Sequence, residues 1–356
     1  MRQKHTDIIR INPTSPESFL IEHAAALLRA GELVVFPTET VYGLGANALQ
    51  PDAVERIFAA KGRPFSDPLI VHIADQSTLE RLVTDIPPQA IQLAQTFWPG
   101  PLTLILPASS RVPKLVTAGL STVAVRMPRH PVALALIRAA DLPIAAPSAN
   151  RFMHVSPTTA QHVLADLDGR VPLILDGGPC EVGVESTVLN LCAAVPTILR
   201  PGGVSLEALR AVLPEVQLPQ QQSLHRDTAQ ASPGQLLVHY APRVPTFLFD
   251  GSPKAMRTAM LAEVQRRRAQ GETVGVLIAD EDVASFQESG ARIYTVGSAS
   301  VPQQVASRLF AGLRTLEEAG VQIILCRSFA QEGLGLAIRD RLLKAAGGKV
   351  FIFNSD

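Results

Sequence analysis

Polar side chains follow an apolar run near the start of the chain, in residues 36–47 (FPTETVYGLGAN). Beside glycines that let the backbone turn tightly, the segment carries Thr38, Glu39, Thr40 and Tyr42. Ligands bind at strand ends of this kind in α/β sheets, so the segment is a candidate binding loop. An ordinary strand exit capped by a threonine and two glycines is the alternative. GLGAN is not a dinucleotide fingerprint, because no third glycine follows at the required spacing.

Two cations leave a predicted helix in residues 57–73 (IFAAKGRPFSDPLIVHI). Lys61 offers a point charge and Arg63 a planar fork, and on a rigid proline-containing loop both suit a polyphosphate. The alternative is that they only complement the dipole at the helix C-terminus. His72 follows in the next apolar run, where a lone histidine is more often a satisfied core residue than a catalyst.

A charged residue ends the apolar run of residues 121–131 (STVAVRMPRHP). Arg126 is costly to bury there unless it meets an anion, and either a substrate carboxylate or a buried structural carboxylate would serve. Before it, residues 97–106 (FWPGPLTLIL) place two prolines around a glycine. They predict a fixed loop in which Trp98 packs rather than catalyses.

Two later loops supply hydroxyl groups. Ser148, Asn150 and Ser156 come from one loop that ends in a helix cap, where hydroxyls and helix-start amides hold phosphates well; turn and cap roles are the alternative. Ser186 has no GxSxG setting and no paired base in the sequence, so it is predicted to bind rather than to attack. Arg200 follows in ILRPGG.

Alternating apolar runs and helical periodicities indicate an α/β domain over residues 1–213 with a mixed, twisted sheet. Strands are predicted at residues 33–36, 69–73, 102–106, 122–126, 144–146, 173–175, 187–191 and 197–199. Helices are predicted at residues 16–30, 52–61, 87–97, 131–140 and 158–167. Residues 214–244 form a predicted linker, because their first part is rich in Gln, Pro and Ser without apolar periodicity.

A smaller doubly wound α/β domain of the Rossmann type is predicted for residues 245–356. Its strands are expected at residues 246–249, 273–278, 292–295 and 322–326, and its helices at residues 254–270, 301–319 and 336–346. The arginine run at residues 266–268 is most simply a solvated helix face.

Composition narrows the class of protein. The 32 basic and 32 acidic residues balance, so no global field draws the chain onto nucleic acid or an anionic membrane. Three cysteines without CxxC spacing argue against a disulfide framework or a zinc knuckle. The N-terminus lacks a signal-peptide core and no apolar run is long enough to span a membrane, which predicts a cytoplasmic protein.

Taken together, these segments resemble the YrdC-like threonylcarbamoyl-AMP synthase family in its long form. The matching motifs cover about residues 20 to 210 and are PTETVYGLG, KGRP with DPLIVHI, FWPGPLTL, VAVRMP, APSAN with SPT, GVESTV and ILRPG. Further on, SPGQLLVHYAP resembles the linker motif and GLGLAIRDRLLKAA the C-terminal helix of that form. One departure is Met153, which stands where the family usually has a glycine.

The resemblance implies a YrdC-like twisted mixed sheet with flanking helices and a concave cleft. It implies that L-threonine is surrounded by Thr40, His72, Arg126, Ala146 and Ser186, with Arg126 pairing the carboxylate. It also implies that ATP is held by Lys61, Arg63, Asp67, Thr122, Ser148, Asn150, Ser156, Arg200 and Tyr240. Tyr240 would act as a lid residue, because the linker of the long form crosses the mouth of the cleft.

The implied reaction joins L-threonine, CO2 or bicarbonate and ATP into threonylcarbamoyl-AMP and pyrophosphate. The product would pass to a tRNA threonylcarbamoyl transferase. The sequence has no Walker lysine loop, HExxH motif or metal-ligand cluster, so Mg²⁺ is expected to arrive with ATP rather than at a protein metal site.

Two other functions fit the fold. A non-catalytic RNA-binding module is disfavoured by the balanced charge, and tight, salt-sensitive RNA affinity without ATP turnover would restore it. A relative that uses carbamoyl phosphate would carry further metal-binding domains, for which this chain has no HxH cluster.

Overall fold

The computed structural model describes residues 5–219 and 239–353. Within them, one compact unit comprises residues 5–152 and 156–219, and a second comprises residues 153–155 and 239–353. Most of the predicted linker, residues 220–238, lies outside the described residues. No helix in the described part of the chain is long and apolar enough to cross a membrane.

The first unit alternates strands with helices, as predicted. Its strands are β1 Asp7–Arg10, β2 Val34–Phe36, β3 Gly43–Asn47, β4 Ile70–His72, β5 Leu102–Pro107, β6 Thr122–Arg126, β7 Ile144–Ala145, β8 Leu173–Asp176, β9 Thr187–Asn190 and β10 Thr197–Arg200. Its helices are α1 Ser18–Arg29, α2 Pro51–Lys61, α3 Leu79–Leu82, α4 Pro88–Phe97, α5 Lys114–Thr117, α6 Pro131–Ala140, α7 Ala160–Leu167 and α8 Leu206–Val212.

These strands form one sheet in the order β1-β8-β2-β3-β7-β4-β6-β5-β9-β10. The pairs β1–β8, β2–β8, β4–β6 and β5–β9 are parallel, and the remaining neighbours are antiparallel. The mixed sheet predicted from the sequence is therefore confirmed.

Helices cover both faces of this sheet. Successive strand residues point to opposite faces, so each strand contributes side chains to the core on either side. In β2, Val35 packs in the larger core cluster, with residues of α2, α4 and α7. Val34 and Phe36 face the other way and pack with residues of α1 and α6. Further along that second face lies a small apolar group formed by Ile70, Ile105, Ala124 and Val188.

The glycines of the GLGAN segment do not make the predicted tight turn. They lie in β3, antiparallel to β2, and neither Gly43 nor Gly45 has a positive φ. A Cβ on Gly45 would sit 2.7 Å from the ring of Phe36 and 3.0 Å from Ile144. The glycine is needed for close packing rather than for turning, and the sequence prediction was wrong in this respect.

The second unit holds the predicted doubly wound domain. Its strands are β11 Thr246–Gly251, β12 Val274–Ile278, β13 Arg292–Thr295, β14 Ile323–Arg327 and β15 Val350–Phe353. Its helices are α9 Pro253–Ala269, α10 Val283–Phe286, α11 Pro302–Glu318 and α12 Gly335–Ala345. The strands are parallel in the order β13-β12-β14-β11-β15. The sequence patterns did not predict β1 or β15.

Candidate functional site

Polar residues occupy one row across neighbouring strands of the first unit. His72 on β4 is the register partner of Arg126 on β6, and Arg126 is that of Thr103 on β5. The row continues through Val188 on β9 to Arg200 on β10. Register partners project from the same face, so four polar side chains lie side by side. We call His72, Arg126, Thr103 and Arg200 the polar row.

The loop after β2 brings hydroxyl groups to this row. Thr38 Oγ1 donates to the carbonyl of Val41 at 2.6 Å and lies 2.8 Å from Thr40 Oγ1. Arg126 Nη1 donates to Thr40 Oγ1 at 2.9 Å. Because both threonines are buried, these contacts hold the predicted binding loop in one conformation against Arg126.

A buried acid faces the same arginine. Glu39 Oε1 lies 2.7 Å from Arg126 Nη2, and both side chains are at least 96% buried. The contact is an ion pair without hydrogen-bond alignment, since neither oxygen of Glu39 has a hydrogen-bond partner in the described structure. Arg126 Nε donates to the carbonyl of Gly100 at 3.3 Å. Arg126 therefore meets a structural carboxylate, one of the two anions that the sequence allowed.

His72 lies at one end of the polar row. It is buried, and its ring meets that of Phe36 edge-on at 6.3 Å. Its Nδ1 has no hydrogen-bond partner among the described residues, so one ring nitrogen is available to a ligand, and the predicted role of His72 stays a prediction. Burial, with the nearby charge of Arg126, lowers the pKa of His72 to about 3. The imidazole is neutral near pH 7, so one ring nitrogen can donate a hydrogen bond and the other can accept one from an uncharged polar group.

The far end of the row is tied to Ser186. Thr103 Oγ1 lies 2.8 Å from Ser186 Oγ, and Arg200 Nη2 donates to Ser186 Oγ at 3.1 Å and to its carbonyl at 3.0 Å. Within the described part of the chain, the side-chain partners of Ser186 are a hydroxyl and a guanidinium group, and its predicted binding role stays a prediction. All three side chains are buried.

Lys61 is not a solvated cation at a helix end. It is buried at the end of α2, and its Nζ donates to the carbonyls of Ser148 and Asn150, each at 2.6 Å. Burial, followed by the neighbouring charge of Arg63, lowers the pKa of Lys61 well below its ordinary value. Lys61 therefore joins the KGRP loop to the APSAN loop.

Arg63 closes its own loop. It forms a buried ion pair with Asp67 at 3.0 Å, and its Nη2 donates to the carbonyl of Pro68 at 2.6 Å. Burial raises the pKa of Asp67, while the charges of Arg63, Lys61 and Arg200 oppose that rise. The charges of all three predicted phosphate-binding cations therefore influence the pKa of the same carboxyl group.

The remaining predicted residues of the first unit lie around these groups. Ser156 Oγ donates at 2.5 Å to Oε1 of Glu185, the residue directly before Ser186 in the chain. Thr122 shares the face of Arg126, because both lie on β6 an even number of residues apart. Ala146 follows β7, and its amide donates to the carbonyl of Ile70 at 3.0 Å.

Tyr240 belongs to the second unit. Its ring is buried, with the guanidinium of Arg341 4.9 Å above it and the Phe310 ring 5.7 Å away. Its predicted contact with a nucleotide stays a prediction.

The structure brings several predicted residues of the first unit together in two groups. One joins Thr40, Arg126 and Ser186 through Thr103, and the other joins Lys61 to the loop of Ser148 and Asn150. The sequence placed Glu39 and Glu185 in candidate binding segments without assigning either a ligand, and it did not select Thr103. A polar residue in the apolar run LTLIL was the available signal for Thr103. No group of at least three His, Cys, Asp or Glu residues suited to a metal occurs among residues 5–219 and 239–353.

Comparison with known proteins gives a consistent picture. A family model described as telomere recombination matches residues 26–202, and one described as the threonylcarbamoyl-AMP synthase C-terminal domain matches residues 204–347. Threonylcarbamoyl-AMP synthase of Bacillus subtilis is 48% identical over 331 residues, covering 93% of this chain and 94% of the relative. That of Pyrococcus abyssi is 44% identical over 335 residues, covering 94% and 96%. The crystal structure of P. abyssi Sua5 complexed with L-threonine aligns with a TM-score of 0.91 at 43% identity, covering 98% and 100%.

Proposed function

Because this chain belongs to the threonylcarbamoyl-AMP synthase family, we propose that it converts L-threonine, CO2 or bicarbonate and ATP into threonylcarbamoyl-AMP and pyrophosphate. This makes it a nucleotidyltransferase, since an adenylyl group moves from ATP to a carbamate. Its product would serve a tRNA threonylcarbamoyl transferase, in the cytoplasm. The observation that carries the proposal is the polar row, which sets an anion-binding guanidinium beside a neutral imidazole and the hydroxyls of Thr40 and Ser186.

The polar row has the chemistry needed for an amino acid with a hydroxyl group. Arg126 is the fixed cation for the α-carboxylate, since its Nη1 and Nε are already oriented by Thr40 and Gly100. The free Nδ1 of His72 suits an uncharged hydroxyl group, because a neutral imidazole nitrogen can accept or donate one hydrogen bond. The small side chain of Ala146, directly after β7, would line the threonine site.

The second group has the chemistry needed for a triphosphate. Arg63 and Arg200 place positive charge in a buried neighbourhood, where electrostatic attraction to phosphate is stronger than in water. Burial lowers the pKa of Lys61, and a bound phosphate would favour its charged form. Ser148, Asn150, Ser156 and Thr122 would add hydrogen bonds. Mg²⁺ would enter as part of the ATP substrate.

The reaction needs no covalent enzyme intermediate. The ammonium group of threonine first loses a proton, and the neutral amine then forms an N–C bond to CO2, giving a carbamate after loss of a second proton to water. A carbamate oxygen then attacks the α-phosphorus of ATP, the bond to the bridging oxygen of the β-phosphate breaks, and pyrophosphate leaves. This chain would act by positioning the two substrates and by neutralising charge on the phosphates.

The test is pyrophosphate release from ATP and bicarbonate, with and without L-threonine. We expect pyrophosphate release to depend on threonine. Lys61→Ala and Arg63→Ala should each raise the ATP concentration that the reaction requires. Arg126→Ala should chiefly raise the threonine concentration required. Release that is independent of threonine, or wild-type kinetics in all three variants, would contradict the proposal.

A further inference from the structure

Glu39 is a buried acid that the proposed reaction has not yet used. Its side chain is 2% exposed, and Arg126 is its ion-pair partner at 2.7 Å. Both of its carboxylate oxygens lack a hydrogen-bond donor in the described structure. Buried carboxylates are normally satisfied by several hydrogen bonds, because the loss of water around them is otherwise uncompensated. The ion pair alone therefore leaves hydrogen-bonding capacity at Glu39 for a ligand.

The charges around Glu39 suit a ligand with two opposite charges. Arg126 carries one positive charge, Glu39 one negative charge, and the neutral His72 adds none. A singly charged anion bound to Arg126 would compete with Glu39 and leave its carboxylate without a counter-charge, which is costly in a buried site. A zwitterion adds one charge of each sign, so every charge in the group keeps an opposite neighbour.

We propose that Glu39 binds the α-ammonium group of the amino-acid substrate while Arg126 binds its α-carboxylate. The inference rests on the proposed function and deepens it. The two charged groups of an amino acid are attached to one carbon, and Glu39 Oε1 lies 2.7 Å from Arg126 Nη2, so a single amino acid is the right size to meet both side chains. Glu39 then selects for an amine: a hydroxy acid of the same shape still reaches Arg126 but offers no N–H donors to the carboxylate.

A purely structural role makes a different prediction. Arg126 is also held by Thr40 and by the carbonyl of Gly100, so its position does not depend on Glu39 alone. If Glu39 only oriented Arg126, its loss would weaken every ligand that has a carboxylate. An ammonium-binding role instead weakens only ligands that carry the amine, so the ratio of two affinities separates the roles.

The experiment is isothermal titration calorimetry of the full chain with L-threonine and with 3-hydroxybutanoate, which lacks the α-amine. The variant is Glu39→Gln, which keeps the shape of the side chain and removes its charge. We expect wild type to prefer threonine, and the variant to bind threonine about 10- to 100-fold more weakly. The affinity of the variant for 3-hydroxybutanoate should rise rather than fall, because the charge of Glu39 no longer competes with this anion for Arg126. The matched control is Glu181→Gln, an exposed acid paired with Arg129 in the same unit, which should bind both ligands as wild type does.

Three results would overturn the inference: threonine affinity retained in Glu39→Gln, equal weakening of both ligands, or wild type binding both ligands equally well. Fluorescence of Trp98 reports whether Glu39→Gln folds. If it does not fold, the wild-type comparison of the two ligands still tests the inference, because it needs no variant. Threonine-dependent pyrophosphate release by wild type is measured first. If it is present and Glu39→Gln keeps its threonine affinity, the inference fails alone; if it is absent, the proposed function fails.

Discussion

The buried pair of Glu39 and Arg126 should dominate the local stability of the first unit. Replacing Arg126 by Met removes the ion pair at 2.7 Å and the hydrogen bonds to Thr40 and Gly100. It leaves the charge of Glu39 buried without a partner, and losses of this kind cost about 3–5 kcal/mol. Against a total stability of roughly 5–15 kcal/mol, that is a large fraction.

The double variant tests the reason for the loss. If the uncompensated charge is the main cost, adding Glu39→Gln to Arg126→Met should return part of the stability. The double variant should then cost about 2 kcal/mol less than the sum of the two single variants. A purely additive result, within about 0.5 kcal/mol, would mean that the two groups do not depend on each other and would refute the reasoning.

The assay is urea unfolding followed by tryptophan fluorescence. The chain has one tryptophan, Trp98, whose Nε1 donates to the carbonyl of Leu102 at 2.7 Å in the first unit. Its signal therefore reports the unit that contains the pair and avoids averaging over two units. Arg129→Met is the control: it breaks an exposed pair with Glu181, and such pairs are worth about 1 kcal/mol or less.

Three further predictions concern single side chains. Burial holds the pKa of His72 at about 3 against 6.5 for the free side chain, so only the unfolded chain takes up a proton as pH falls below 6.5. Lowering the pH from 7.5 to 5 should therefore destabilise wild type by about 2 kcal/mol more than His72→Gln, and equal pH profiles would contradict this. Met153 has a φ of 68°, so Met153→Gly should raise the free energy of unfolding by about 1 kcal/mol in calorimetry, whereas Met153→Ala should not. Thr103→Val removes the hydroxyl contact with Ser186 and should cost about 1 kcal/mol in urea unfolding; Thr103→Ser, which keeps the hydroxyl, is the control that should show a smaller loss.

The order of strands and helices was readable from the sequence because apolar periodicity and chain breakers are local properties. Strands such as β5 and β6 and helices such as α4 and α6 lie within a residue or two of their predicted bounds. The glycines of β3 were misread because the reason for them is not local. Gly45 is required by the ring of Phe36 on the neighbouring strand, and that closeness exists only after the strands pair.

Motifs in the sequence also determined which loops carry the site, since cations and hydroxyls after apolar runs are visible one segment at a time. The family comparisons agree with the resemblance that these motifs carry. The sequence could not show which groups contact the charged side chains. For Arg126 it allowed either a substrate carboxylate or a structural carboxylate, and only the fold shows that Glu39 lies beside it. Likewise, the sequence allowed Lys61 either to bind phosphate or to complement the helix dipole, and only the fold shows that it donates to the carbonyls of Ser148 and Asn150. Burial and pairing arise between segments distant in the chain, so the tertiary structure alone decided the charge environment of the site.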